Sequence, residues 1–126
     1  NLAKVIDLTE EWNKIAPESA LVQGCIVARS EFIEKYPDSV KAFLDEYKAS
    51  VEYVLTSNDS ADIIANVGIV PSSAIAKAAL PYCNICFYDY DGGLYEKLSG
   101  FLSVLHSFSP ASVGGKLPDT NFYYGK

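Results

Sequence analysis

Ala20-Leu21-Val22-Gln23-Gly24-Cys25-Ile26-Val27-Ala28-Arg29-Ser30-Glu31-Phe32-Ile33-Glu34-Lys35-Tyr36-Pro37-Asp38-Ser39-Val40-Lys41-Ala42-Phe43-Leu44 holds three kinds of local signal in one stretch. From Ala20 to Ala28 the residues are apolar but for Gln23 and rich in β-branched side chains, and the run is too short for a typical helix, so it predicts a buried strand. Gly24 inside that run has no side chain to pack and marks a bend or a close approach of another backbone or a ligand. Ser30 is placed to cap a helix of one to two turns through Tyr36, and Pro37 ends it by pushing the preceding residue out of the helical region. Asp38 and Ser39 then open a longer helix. Val40, Phe43, Leu44, Tyr47, Val51, Val54 and Leu55 recur at spacings of three and four, with Lys41, Asp45, Lys48 and Glu52 between them, the pattern of one apolar face.

Working outward toward the start, Ala3–Leu8 is a short apolar run that predicts a strand. Thr9, followed by Glu10 and Glu11, reads as the cap of a short helix over about Glu10–Ile15, and Pro17 breaks the pattern. On the other side, Asn58 is positioned to cap a helix through Asn66, with Gly68 as the left-handed residue beyond its end. Pro71-Ser72-Ser73 opens another helix that Pro81 stops, and Cys83–Tyr90 reads as extended chain or loop. Leu94, Leu98, Phe101, Leu102, Leu105 and Phe108 return to helical spacing, in spite of Gly100, whose cost in a helix is roughly 1 kcal/mol relative to Ala. The tail Ser109–Lys126 combines Pro, Gly and aromatics, which predicts irregular chain pinned by Phe122, Tyr123 and Tyr124.

At 126 residues the chain has the size of one domain, and 49% hydrophobic with 21% charged residues is the balance of a chain that folds. Sixteen Asp and Glu against ten Lys and Arg give a net charge of −6, the wrong sign for a protein that binds phosphate backbones, so no nucleic-acid partner is expected. The longest apolar stretches, Ala20–Ala28 and Ala74–Leu80, fall well short of the ~20 residues of a spanning helix. The sequence opens on Asn1 with no Met and no basic-then-apolar segment, so the expectation is that processing or truncation has removed the beginning.

Candidate chemistry is sparse. Cys83-Asn84-Ile85-Cys86 has the C-x-x-C spacing that lets two thiolates share a metal or form a redox disulfide, and Cys25 and His106 would complete four ligands. Zinc sites of this kind usually show two such pairs, whereas Cys25 lies in the apolar run and His106 near the end of a helix, so apolar filling outweighs metal or redox chemistry. His106, the only imidazole, suits the negative end of a helix dipole. Gly114-Gly115-Lys116 lacks the upstream glycine of a phosphate-binding loop. Asp89-Tyr90-Asp91-Gly92-Gly93 lacks the bidentate Glu of a calcium loop, since Gly100 stands at that position. Glu10 with Glu11, and Asp89 with Asp91, read as solvated charge. No enzyme, cofactor or metal is expected on these residues.

The run from Gly24 to Leu44, continued by Tyr53 and by Asn58-Asp59-Ser60-Ala61-Asp62, resembles the solute-binding proteins of ABC importers, in the branch associated with nitrate, sulfonate, taurine and thiamine-precursor uptake. The tail Phe108-Ser109-Pro110-Ala111-Ser112-Val113-Gly114-Gly115-Lys116-Leu117-Pro118-Asp119 is similar to the C-terminal tail of the same kind of protein. Such proteins have two α/β lobes that close on a ligand like a hinge and are considerably longer, so the resemblance implies that this chain is a C-terminal part. The fold it implies is a helix-rich α/β fragment: a partial lobe of a two-lobe periplasmic-binding-protein-like fold with one crossover strand and about five helices. Residues 1–19 would be the remnant of the second lobe and the segment near the hinge. Residues 20–126 would be the crossover strand and the helical end of the first lobe.

The resemblance implies a non-enzymatic module, extracytoplasmic, either periplasmic or anchored as a lipoprotein in the full-length parent. It would bind a small molecule there and deliver it to an ABC permease. Gln23 and Gly24 are the candidate ligand contacts, a side-chain amide beside bare backbone on the crossover strand. With most of a sheet missing, the apolar faces of the helices need cover, so self-association is also expected. The alternative is a small helical domain that self-associates and takes no ligand.

Overall fold

Pro37 occupies the first turn of the longest helix, where its missing N–H leaves no bond unmade. In the computed structural model, which describes residues 3–126, that helix runs Pro37–Thr56 and is the third of six α-helices. In chain order these are α1 (Leu8–Ile15), α2 (Ser30–Lys35), α3 (Pro37–Thr56), α4 (Ser60–Asn66), α5 (Ser73–Ala79) and α6 (Tyr95–Phe108). Short 3-10 turns over Leu80–Tyr82, Pro110–Val113 and Thr120–Phe122 follow α5 and α6.

The helix ends follow from local chemistry. Asp7, not Thr9, caps α1: its carboxylate accepts from the Thr9 and Glu10 N–H groups at 3.0 and 3.2 Å. The Ser72 hydroxyl accepts from Ile75 N–H at the start of α5. Gly68, at φ +81°, closes α4 as expected. Its N–H donates to Ala65 O and that of Ile69 to Ile64 O, at 3.0 and 3.1 Å, the two reverse bonds that satisfy the last carbonyls of a helix.

The expected α/β class is not what the chain adopts. No strand occurs among the described residues. The crossover strand expected over Ala20–Arg29 is irregular chain, exposed from Gln23 onward, and the strand expected over Ala3–Leu8 is irregular chain that enters α1 at Leu8. The physical reason is pairing. A strand exists through hydrogen bonds to a neighbouring strand, and among the described residues no backbone hydrogen bond joins residues 20–28 to another segment. A β-branched apolar run expresses its preference only where a sheet receives it.

The chain divides into two compact units, one formed by residues 1–26 with 88–126 and the other by residues 27–87. In the first, Trp12 of α1 packs on Phe101 of α6 with ring centroids 5.1 Å apart. Its indole N–H donates to Ser19 Oγ at 2.9 Å. Gly100 lets the same turn approach α6: a Cβ at that position would lie 2.7 Å from Ser19 Cβ. At the other end of α6, Tyr95 meets the edge of Tyr123 at 4.9 Å, and Tyr123 is the buried anchor of the tail. Tyr123 thus pins the tail as expected, while Phe122 and Tyr124 stay exposed.

In the second unit, α3, α4 and α5 meet around Val51, Ala61 and Ala76, with the buried Ser60 hydroxyl donating to Ser57 O at 3.0 Å. Tyr47 of α3 packs on Phe87 at 6.0 Å. Val51, Ala61, Ala76 and Tyr123 are the buried apolar residues among those described. That is a small core for the amount of helix, and it leaves Phe43, Leu55, Ile63 and Ile75 largely in solvent.

Candidate functional site

Gln23 and Gly24 lie on the irregular segment between α1 and α2, both exposed. A Cβ added at Gly24 would meet nothing within 4 Å. No packing constraint therefore requires a glycine there, and its backbone is open to an incoming group. The structure sets the two residues side by side at the edge of the first unit in sequence, just before the chain passes into the second after Ile26.

The cysteines do not converge with other ligand types. Cys25, Cys83 and Cys86 are free thiols on exposed residues. Cys83 Sγ donates to Ala79 O at 3.3 Å, the carbonyl one helical turn earlier. No three His, Cys, Asp or Glu side chains stand together as a metal site among the described residues. His106 lies half-buried in the last turn of α6.

Two acidic and glycine-rich motifs have local duties. The Asp89 carboxylate accepts from Gly92 N–H at 2.7 Å, and Leu94 N–H donates to Asp89 O at 2.9 Å. Asp89 thereby closes the turn that leads through Gly93, at φ +95°, into α6. Gly114 and Gly115, at φ +77° and +88°, spend their N–H groups on Ala111 O and Pro110 O. Those amides end a 3-10 turn and are not free to cradle a phosphate.

Two carboxyls are held below the ordinary value of 3.8. Asp7 is lowered by its bond from the Lys4 ammonium and then by the Glu10 N–H, and Asp59 by the hydroxyls of Ser57 and then Tyr53. Burial, with Tyr95 beside it, pushes the Tyr123 hydroxyl above 10.0. None of these groups faces a second titrating partner in a way that would separate an acid from a base.

Sequence reasoning did not single out the hollows. One, of about 380 Å³, lies where α3, α4 and α5 meet, walled by Val54, Leu55, Leu80 and Pro81 with Ser57, Asn58 and Lys77. The other, of about 280 Å³, lies between α6 and the tail, with Leu102, Val113 and Phe122 in its wall. Their residues come from several separate elements in each case, so no spacing in the chain announces them. Neither includes Gln23 or Gly24. No protein-family model, curated protein or solved structure matches this chain.

Proposed function

We propose that the chain is the C-terminal part of the extracytoplasmic solute-binding component of an ABC importer, a module that binds a small molecule by hinge closure and hands it to the permease. The observation that carries this reading is the mismatch between helix and core. Amphipathic helices hold together by burying one apolar face, yet here Phe43, Leu55, Ile63 and Ile75 remain 46–58% exposed. Helices with that character are one layer of a larger fold. The run from Gly24 to Leu44, continued by Tyr53 and Asn58–Asp62, and the tail Phe108–Asp119 are the parts of the chain that resemble such proteins.

In this reading Gln23 and Gly24 meet the ligand, the amide by hydrogen bonding and the glycine by leaving its backbone uncovered. The helices are structural cover, and transport specificity belongs to the complete protein. The test is the complete reading frame that encodes this segment, with its neighbours. The expected result is an upstream export signal and a further lobe, beside genes for a permease and an ATPase. A frame that starts near Asn1 with no transport genes beside it would overturn the reading in favour of a helical domain without ligand.

A further inference from the structure

Lys77 is the only Lys or Arg between Lys48 and Lys97. It stands on α5, and the residues three and four positions from it, where charges pair along a helix, are Ser73, Ala74, Leu80 and Pro81. The three ion pairs among the described residues all have that local spacing: Lys4 with Asp7, Lys14 with Glu11 and Lys41 with Asp45. Lys77 enters none of them, and its own helix offers it no acid.

The hollow of about 380 Å³ that Lys77 helps to wall is built entirely from residues of the second unit. Val54, Leu55, Leu80 and Pro81 give it apolar walls, and Lys77 is the one charged residue among those lining it. Two of its hydroxyls are already engaged. Ser60 donates to Ser57 O at 3.0 Å, and the Ser57 hydroxyl donates to the Asp59 carboxylate, which the Tyr53 hydroxyl also holds. Asp59 does not line the hollow, so no carboxylate in the wall competes for the Lys77 charge.

The volume equals that of roughly a dozen waters and falls within the roughly 300–1,000 Å³ of small-molecule sites. Apolar walls with a single cation favour a ligand that has an apolar body and one anionic end. The body gains by leaving water, and the anion meets a cation that has no other partner. We infer that this hollow is a binding site for a small amphiphilic carboxylate, with Lys77 holding the carboxylate and Val54, Leu55, Leu80 and Pro81 covering the alkyl part. The inference does not rest on the importer reading, since the hollow includes neither Gln23 nor Gly24.

Octanoate is the probe, with octanol and octylammonium as the neutral and cationic controls of equal chain length. An amide NMR titration of the 126-residue chain is expected to show saturating octanoate shifts centred on Leu55, Ala61 and Lys77, with a Kd of about 1 mM. Octanol is expected to bind several-fold more weakly and octylammonium more weakly still. Lys77→Gln is expected to weaken octanoate about fivefold and to leave octanol unchanged, whereas Lys77→Arg keeps the octanoate affinity. Should Lys77→Gln lose its helical circular dichroism, octanoate and not octanol is expected to shield Lys77 from acylation in the unaltered chain, read by peptide mass spectrometry. Octanoate that shifts no resonance of the hollow, octanol that binds as tightly, or an affinity unchanged in Lys77→Gln would overturn the proposal. So would a Lys77 that octanoate leaves unshielded.

Discussion

Gly100 sits in the middle of α6, where alanine would be the better helix former by roughly 1 kcal/mol. The structure reverses that preference, because a Cβ there would fall 2.7 Å from Ser19 Cβ and 3.3 Å from its Cα. The second of these is backbone and cannot swing aside. Gly100→Ala is expected to lower stability by about 1–3 kcal/mol, the usual range for overpacking, in urea unfolding followed by Trp12 fluorescence. Trp12 reports from the same contact, since its indole donates to Ser19 Oγ. Trp12→Phe keeps the ring against Phe101 and loses that bond, at a cost of about 1 kcal/mol, read by circular dichroism. The sequence shows only that Gly100 is an unfavourable helix residue. The reason for it lies in a turn eighty residues away along the chain, which no local pattern reveals.

At the level of elements, helix ends were legible in part: Ser30 and Asn58, expected as caps, do not serve as such, since α2 and α4 start after Arg29 and Asp59 with no side-chain cap bond. Gly68, Pro37 and Ser72 act where their backbone or hydroxyl chemistry places them. The start of α1 was misplaced by two residues, because Asp7 and Thr9 are both good caps and only the observed bonds choose between them. Asp7 makes α1 acid-sensitive. Its folded pKa lies below the ordinary 3.8, so the folded state favours the carboxylate. The stabilisation is complete above 3.8 and is lost as pH falls through the lowered folded value. The Thr9 and Glu10 amide resonances are expected to titrate together in that acidic range, and in Asp7→Ala this titration is expected to disappear. Gly68→Ala would force an alanine to φ +81°. It is expected to lower stability by about 1–2 kcal/mol, with faster amide exchange in α4 than in α5 as the local signature.

For the whole molecule, helix content was readable and the fold class was not. Periodicity is a property of one segment, whereas a strand depends on its neighbour. The run Ala20–Ala28 has strand composition but makes no backbone hydrogen bond to another segment among the described residues, so it stays irregular chain. The candidate site was legible only as far as two adjacent residues, Gln23 and Gly24, because a binding site is a convergence of distant side chains and this chain brings no third group to them. The uncovered apolar residues, Phe108 at 79% and Ile69 at 71% exposure among them, carry their own expectation. The native chain should enhance the fluorescence of an apolar dye at neutral pH, and Phe108→Glu should reduce that signal.

In the importer reading proposed above, ligand capture by the complete protein is the decisive property. The direct measurement is thermal unfolding of that complete protein with nitrate, taurine, an alkyl sulfonate or a pyrimidine thiamine precursor, each in large excess. One of them is expected to raise Tm, by the several degrees that about 3 kcal/mol of linked binding energy produces, and Gln23→Ala is expected to diminish the rise. An unchanged Tm with every compound would contradict the account.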